Sequence, residues 1–310
     1  MPKDDGFYGS NKFFSSEWWY FDSIFNNNYS IHIGFTTVSK KNIMSFPEIE
    51  IYKDGKIVKK AIRRYLSKDF EISKQLPLVK LFNNNIFEFD MERFNSRGEW
   101  VYNVTPKIDD LEVNLKFIST TPGWKIEWER EKWIVALPKA SVTGEIVVDG
   151  KRMKVNGIGY HDHNWSTNIS RITNLWGWHW GKIAGKTLNI VWANIMKTSS
   201  EGDLLAVVNK DNQGYLAVNP ENIYLKLDKF IRNHGRKMPT IYKLKIDDVV
   251  NDIPIYVDVK MEVQNIHRRF KKLLIAPYWR YHAKVKGVIS LGTCQENIDK
   301  TQIMEFFRLI

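Results

Sequence analysis

The chain has 310 residues, of which 43% are hydrophobic and 26% are charged, so it can form one large or two ordinary globular domains. Its single cysteine, Cys294, excludes an intrachain disulfide and fits a reducing compartment. The first residues carry charges with no apolar run behind them, and the apolar stretches are too short to span a bilayer. We therefore expect a cytoplasmic protein.

The net charge of +11 raises the question of an anionic partner. The lysines and arginines are scattered, and the sequence contains no helix-turn-helix, zinc-finger or RNP-type motif, so we expect no nucleic acid. Short basic runs occur at Arg63-Arg64 and at 267–272. We interpret them as solvated strand ends, with peripheral contact to anionic lipid headgroups as the alternative.

Short runs of β-branched and aromatic residues, partly alternating with polar ones, predict strands throughout the chain. In the first half they are 29–38, 49–52, 87–91, 100–104 and 111–117, and in the second half 188–196, 204–208, 242–246 and 255–263. Asp54-Gly55 and Asp149-Gly150 predict tight hairpin turns, because both residue types tolerate positive φ. Only 296–309 is compatible with a helix.

The two halves of the chain share a pattern of an aromatic strand, a polar turn and an apolar strand. At an offset of 159 positions, four pairs match: Trp19 with Trp178, Phe21 with Trp180, Ile24 with Ile183, and Ile31 with Ile190. The offset is close to half the chain length, which indicates a duplication. The fold class we predict is all-β, with two tandem barrel or sandwich domains packed together, 1–165 and 166–310, and little helix.

The most distinctive stretch is Gly159-Tyr160-His161-Asp162-His163-Asn164-Trp165. On a strand, alternate side chains share a face, so Tyr160, Asp162 and Asn164 would point one way and the other three residues the other way. Three interpretations remain open: a buried polar network that fixes a domain junction, a metal site on the two histidines, or acid–base chemistry by Asp162. We expect no metal, because a third ligand is not evident.

Two aromatic clusters are candidates for a pocket wall. The first is Trp18-Trp19-Tyr20, preceded by Glu17, for which a structural role is expected. The second contains Trp176, Trp178 and Trp180 on one face of a strand and His179 on the other, between Gly177 and Gly181. For the second cluster, a packed core is the equal alternative.

Together these segments resemble the hydroxyneurosporene synthase family of carotenoid 1,2-hydratases, whose wider group includes AttH-like proteins and lipocalin-like pericyclases. The matching residues are 17–21, 159–165 and 178–181, and the resemblance extends from near the N-terminus to about residue 195. Where the family has Gly after the second segment, this chain has Ser166. The resemblance implies two lipocalin-like domains around a hydrophobic cavity, a reaction without an organic cofactor, and an acid at Tyr160 and Asp162.

These features predict an enzyme that hydrates a C=C bond of an isoprenoid or polyene lipid, or carries out a related lyase, isomerase or cyclase reaction. An aspartic acid in an apolar pocket has a raised pKa, so Asp162 could donate the proton while Tyr160 or a histidine holds it in place by hydrogen bonding. Tryptophan rings would stabilise the carbocation, and His161 or His163 would accept the proton of the attacking water. The substrate-binding set is Trp18, Trp19, Tyr20, Asn164, Trp165, Trp176, Trp178, His179 and Trp180. The alternatives are a non-catalytic carrier of a lipid or polyene and a pericyclase-like enzyme.

Overall fold

The structure is a computed structural model that describes residues 1–9, 15–39, 43–128, 131–166, 176–198, 201–269 and 278–308. It is 75% strand and 6% helical, which confirms the all-β class. The chain divides into two compact units, Met1–Ile169 and Ser170–Ile310. Among the described residues, no helix has the length and apolar character needed to cross a membrane. Residues 270–272 of the second basic run lie outside the described residues.

The first unit is one antiparallel sheet with a few helical turns. Its strand order is β4-β3-β2-β1-β14-β13-β11-β9-β8-β7-β6, with β5 beside β3, β10 beside β11 and β12 beside β13. The strands are β1 Ser16–Phe25, β2 Tyr29–Ser39, β3 Ile43–Lys53, β4 Lys56–Ile62, β5 Tyr65–Leu66, β6 Phe70–Ile72, β7 Leu78–Leu81, β8 Asn84–Phe89, β9 Val101–Val104, β10 Lys107–Ile108, β11 Leu111–Ser119, β12 Trp124–Trp128, β13 Glu131–Val148 and β14 Lys151–Ser166. The helical turns are the 3₁₀ helices Pro2–Asp5 and Ser67–Asp69 and the α-helix α1 Met91–Arg97.

The second unit is a sheet of order β18-β17-β16-β15-β23-β22-β21-β20-β19. Its strands are β15 Gly177–Ala184, β16 Leu188–Met196, β17 Gly202–Lys210, β18 Tyr215–Ala217, β19 Ile223–Asn233, β20 Arg236–Val250, β21 Ile253–Arg269, β22 Tyr278–Leu291 and β23 Cys294–Arg308, with a 3₁₀ helix at Pro220–Asn222. In each unit, the first strand pairs with the second strand and with the last one.

Both predicted Asp-Gly turns are confirmed. Asp54 and Gly55 join β3 to β4, and Asp149 and Gly150 join β13 to β14, all four with positive φ between 49° and 74°. This conformation matches the right-handed twist of the flanking strands, so the two turns set the register of their hairpins.

The helix expected at 296–309 is wrong, because residues Cys294–Arg308 form strand β23. The segment has residues that suit a helix, but β23 lies between β15 and β22 and pairs with both. Tertiary pairing therefore overrides a local preference that is worth only fractions of a kcal/mol per residue, about 0.7 at most for an ordinary residue.

The offset of 159 aligns the second strands of the two units in phase, since Ile31 and Ile190 both lie in the hydrophobic core of their unit. For the first strands, the same offset misaligns the two units by one residue. Trp19 belongs to the first core, whereas His179, and not Trp178, stacks on the core residue Phe306 in the second unit. A slip of one residue moves every side chain to the other face of a sheet.

Candidate functional site

The segment Gly157–Trp165 lies in β14, between β1 and β13 at the middle of the first sheet. Tyr20 of β1 is opposite Asp162, and Phe21 is opposite His161. Because directly opposite residues share a face, Tyr160, Asp162 and Asn164 lie on one face with Tyr20. His161 and His163 lie on the other face with the core residues Phe21 and Trp19.

The face that carries the histidines contains a buried network of five residues, Asp5, Glu17, Tyr102, His161 and His163. Asp5 Oδ2 is 2.9 Å from His161 Nε2, and Asp5 Oδ1 is 3.2 Å from His163 Nδ1. The other nitrogen of His163 is 2.9 Å from Glu17 Oε1, and the Tyr102 hydroxyl donates to Asp5 Oδ2 at 2.7 Å. We refer to this group as the inner network.

Charge in the inner network is balanced by proton binding to His163. Burial alone would lower the pKa of His163, but the carboxylates of Asp5 and Glu17 outweigh burial and raise it to about 9. Burial would raise the pKa of Asp5, but the charges and hydrogen bonds of the two histidines outweigh burial and hold it below its usual value. At neutral pH, therefore, His163 is an imidazolium ion stacked on Trp19, with ring centroids 4.2 Å apart.

The inner network fixes the N-terminal segment to the sheet. Asp5 also accepts a hydrogen bond on its carbonyl from Trp19 Nε1, and Glu17 accepts backbone hydrogen bonds from Tyr8 and Gly9. All five residues of the network are at most 2% exposed. His161 and His163, the expected acceptors of the proton of the attacking water, instead lie on the opposite face of β14 from Asp162, and both rings contact carboxylates of the network.

The opposite face of the same sheet is unusually polar for a buried surface. Three tyrosines each donate a hydrogen bond to a carboxylate two residues away on the same strand. The pairs are Tyr20 with Asp22, Tyr52 with Glu50 and Tyr160 with Asp162. We call this surface the outer polar face, formed by Tyr20, Asp22, His32, Glu48, Glu50, Tyr52, Tyr160 and Asp162, all of which are at most 6% exposed.

One row of this face crosses five neighbouring strands. From β4 to β14 its members are Lys60, Glu50, His32, Asp22 and Tyr160, each opposite the next in the register. The Lys60 ammonium is 2.6 Å from Glu50 Oε1. Most of this row is not recognisable from the sequence, because polar residues that alternate with apolar ones on a strand normally face solvent.

Asp162 lies among hydrogen-bond donors and not in the apolar surroundings that the sequence analysis expected. Its Oδ2 accepts hydrogen bonds from Trp133 Nε1 at 2.8 Å and the Tyr160 hydroxyl at 2.9 Å, and its Oδ1 accepts one from Asn164 Nδ2 at 3.1 Å. Burial, the charge of Asp162 and this hydrogen bond raise the pKa of Tyr160 well above its usual value, so the phenol keeps its proton. Trp133 was missed because its partner is 29 residues away on the next strand.

The structure brings together only part of the predicted binding set. Trp18 is half-buried and opposite Asn164, so it shares the outer polar face with Tyr20 and Asp162. Trp19 lies in the core, and Trp165 contacts Tyr8 on the inner side with ring centroids 5.7 Å apart.

The remaining predicted residues, Trp176, Trp178, His179 and Trp180, belong to the second unit. His179 was expected to be open to a ligand, but it is 2% exposed, stacked on Phe306 and 3.2 Å from the Tyr242 hydroxyl. Burial, with a smaller contribution from Arg308, lowers its pKa to about 3, so it is a neutral core residue. Trp178 stacks on Phe307 at 4.2 Å, whereas Trp176 packs against the second core.

A concavity of about 640 Å³ opens on the first unit at the end of β14 that lies away from Asp162. It is lined by residues without aromatic rings, most of them with polar side chains, among them Asn26, Asn27, Glu145, Lys154 and Asn156. It therefore differs in place and chemistry from the aromatic cavity that the sequence analysis expected. In the described part of the chain, no group of three or more His, Cys, Asp or Glu residues is arranged to hold a metal ion.

Comparison with known proteins identifies structural relatives. No protein-family model matches the sequence, and no curated protein is significantly similar to it. Over 100% of its length the chain is similar in structure to 97% of a candidate AttH protein from Nitrosomonas europaea, with a TM-score of 0.70 and 13% sequence identity. Kievitone hydratase from Nectria haematococca has a TM-score of 0.61 at 11% identity, covering 98% of this chain and 93% of its own.

A third relative is CghA, solved in complex with Sch210972, with a TM-score of 0.61 and 10% identity over 96% of this chain and 89% of its own. At such low identities, these similarities establish the fold alone. They confirm the predicted two-domain, all-β, lipocalin-like fold that the chain shares with these proteins.

Proposed function

We propose that the chain is a cofactor-independent enzyme that adds water to a C=C bond of an isoprenoid or polyene, or catalyses a related elimination or rearrangement. The chemistry is placed on the outer polar face. The observation that supports this most directly is the carboxyl group of Asp162, which is buried beside aromatic rings and receives hydrogen bonds from Trp133, Tyr160 and Asn164. Similarity of fold to kievitone hydratase is consistent with a hydratase.

In the proposed reaction, the carboxylate of Asp162 first takes up a proton from solvent, and the neutral acid then delivers it to the less substituted carbon of the alkene as the C=C π bond opens. The O–H bond breaks, a C–H bond forms, and a carboxylate remains. The hydrogen bonds from Trp133, Tyr160 and Asn164 are strongest to that carboxylate, so they stabilise the charge that develops as the proton leaves. Because the pKa of Tyr160 is raised, its phenol remains a donor throughout the cycle.

The cation at the other alkene carbon requires electron-rich surroundings. The indoles of Trp133 and Trp18 lie on either side of Asn164 in the register, on the same face as Asp162. An aromatic face stabilises a desolvated cation by roughly 2 kcal/mol. Water then forms the C–O bond, and its surplus proton returns to the carboxylate of Asp162, which restores the enzyme without a redox partner.

Two other functions share the fold. A carrier of the same lipids would have no use for a buried carboxylate with three donors. A pericyclase-like enzyme, which shapes a polyene without transferring a proton, would use the same phenols as hydrogen-bond donors. The mass of the product separates these functions, because hydration adds one water, a pericyclic reaction leaves the mass unchanged, and a carrier releases its ligand unaltered.

The test compares wild-type protein with the Asp162→Asn variant on geranylgeraniol and a linear polyene in water enriched in heavy oxygen. Asparagine keeps the size of the side chain and one carbonyl acceptor but has no acidic proton to donate. General acid catalysis contributes roughly 10²–10⁴-fold, so we expect label incorporation to fall by at least about a hundredfold.

The matched control is Glu17→Gln, which removes a buried carboxylate on the opposite face of the neighbouring strand. It should lower the melting temperature yet keep the turnover of the folded protein. Labelling by Asp162→Asn at the wild-type rate would remove Asp162 from the proposal. Equal loss of activity in both variants would mean that stability, and not proton transfer, is what the substitutions change.

A further inference from the structure

The hairpin that joins β19 to β20 carries exposed apolar side chains among cations. Residues 229–237 contain two lysines, two arginines, one histidine and no acidic residue. Phe230 and Ile231 are 46% and 40% exposed. We propose that this hairpin docks the protein on an anionic lipid bilayer.

The geometry of the hairpin supports such a role. His234 and Gly235 have φ of 47° and 78° and form a tight two-residue turn. Pairing between β19 and β20 continues to Asn233 and Arg236, whereas in the described part of the chain the register of β20 with β21 ends at Ile241. The tip therefore extends beyond the register with β21 as a two-stranded ribbon whose outer strand, β19, is at the edge of the sheet. Trp279 Nε1 donates to Asn233 Oδ1 at 3.1 Å and holds the base of the tip.

The tip presents charge and apolar surface together. The Lys237 ammonium lies 4.4 Å from the centroid of the Phe230 ring, and Arg232 is opposite Lys237 in the register. Among the described residues, Arg232 and Lys237 are within ion-pair distance of no carboxylate, and Lys229 acts only at longer range on Glu262, which is paired with Lys260. Cations near a negatively charged membrane attract it. Phe230 shares a face of the ribbon with Arg232 and Lys237, whereas Ile231 projects from the other face, so both enter the headgroup region when the ribbon inserts with its outer edge or its tip first.

Strand β4, at the edge of the first sheet, also combines exposed apolar residues with cations, but it is a weaker candidate for membrane docking than the hairpin. Ile57, Val58 and Ile62 on β4 are also exposed. Three of the five cations in residues 56–64 are neutralised, because Lys59 contacts Asp110 and Asp149, Lys60 contacts Glu48 and Glu50, and Arg63 contacts Asp109. Exposed apolar residues beside mostly neutralised cations have a weaker long-range attraction to an anionic surface than those of the hairpin.

The exposed aliphatic side chain of Ile231 favours a bilayer over a nucleic acid as the partner of the hairpin. A nucleic-acid surface uses cations and aromatic rings, but an exposed aliphatic side chain at the open edge of a ribbon gains nothing from a phosphate backbone. Ile231 gains by leaving water for a lipid interface.

The experiment measures sedimentation of the full-length protein with phosphatidylcholine vesicles that contain or lack phosphatidylserine. The Lys229→Gln/Arg232→Gln/Lys237→Gln variant should bind the anionic vesicles about a hundredfold more weakly, since each of the three cations near the surface contributes roughly a factor of five. The control variant, Lys116→Gln/Lys151→Gln/Lys154→Gln, removes the same charge from exposed lysines of the first unit and should bind like the wild type.

A second pair of variants tests the apolar contribution. Phe230→Ser/Ile231→Ser should weaken binding about tenfold or more at high salt, where the attraction between charges is screened. Tyr224→Ser/Tyr256→Ser, which removes two exposed rings elsewhere on the same sheet, should not.

Equal loss in the lysine control would mean that net charge alone drives binding, and the assignment to the hairpin would fall. Absence of any preference for phosphatidylserine, or tight salt-sensitive binding to duplex DNA or single-stranded RNA in its place, would overturn the proposal. The inference is independent of the proposed reaction, because the assay contains no substrate.

Discussion

Replacing Asp5 with asparagine should destabilise the first unit far more than any other single-atom change in the N-terminal segment. The carboxylate of Asp5 is fully buried and lies between two imidazoles, with Tyr102 as a third partner. Asparagine keeps the shape of the side chain but removes its charge. His163 would then be an imidazolium ion balanced only by Glu17.

The loss of folding stability caused by Asp5→Asn can be worked out in two ways. Removing one partner of a buried ion pair costs roughly 3–5 kcal/mol. The pKa of His163 rises from 6.5 to about 9 on folding, and at about 1.36 kcal/mol per unit this corresponds to roughly 3 kcal/mol shared between Asp5 and Glu17. Both figures describe the same interactions, so they are not added. A unit of this size loses about 2–4 °C in melting temperature per kcal/mol, so we expect a decrease of at least about 5 °C.

The pH dependence gives a second readout. Because the pKa of His163 is higher in the folded state than in the unfolded state, its stabilising contribution is complete below about pH 6.5 and is lost as the pH rises through about 9. The lowered pKa of Asp5 acts in the opposite direction, and its contribution is lost as the solution becomes strongly acidic. Thermal melts between pH 6 and 10 should show a steep decline for the wild type and a shallower one for Asp5→Asn.

The neighbouring Asp4 provides the control. Its carboxylate forms partly exposed ion pairs with the N-terminal ammonium and Lys125, which are worth about 1 kcal/mol or less. Asp4→Asn should therefore change the melting temperature little. If the Asp5 and Asp4 variants have the same melting temperature, or if the stability of Asp5→Asn depends on pH as that of the wild type does, the inner network does not stabilise the unit as we infer.

Three further changes test other features of the two sheets. Gly159→Ala should destabilise the first unit by roughly 1–3 kcal/mol, because a Cβ would lie 2.8 Å from the Asp22 carbonyl oxygen and closer still to two core side chains. Gly214 has open space around it, so Gly214→Ala should be neutral in the same urea titration. Glu296→Gln should lower the stability of the second unit by roughly 1–3 kcal/mol, since the carboxylate accepts backbone hydrogen bonds from residues 186, 187 and 188; an unchanged urea midpoint would contradict this. Tyr160→Phe should reduce turnover more than stability, and a loss of stability with full specific activity would make its hydroxyl purely structural.

The sequence predicts the local features of this fold well because they depend on neighbouring residues. The Asp-Gly turns require positive φ at two adjacent positions, and the alternation in β14 places Asp162 and its neighbour His161 on opposite faces of the sheet. The same local reasoning fails at β23, where the neighbours that decide the conformation are on two other strands.

The candidate site is harder to predict because its members come from distant parts of the chain. His32, Glu50 and Asp22 are side by side only after three strands have paired. Asp5 lies in a short polar segment that resembles an ordinary charged terminus, and only the folded sheet places its carboxylate between two histidines. A period-two pattern indicates which side chains share a face but not which face is covered.

The position of β14 also determines when the first unit can close during synthesis. Asp5 leaves the ribosome 156 residues before His161, which at about 5–20 residues per second is a delay of roughly 10 to 30 seconds. Until β14 emerges, β1 and β13 are the unpaired edges of two separate half-sheets, and the N-terminal carboxylate has no imidazole to receive it. Unpaired edges invite pairing with other chains. We therefore expect the nascent chain to be most prone to pairing with other chains late in the translation of its first half, in the interval just before Tyr160 appears.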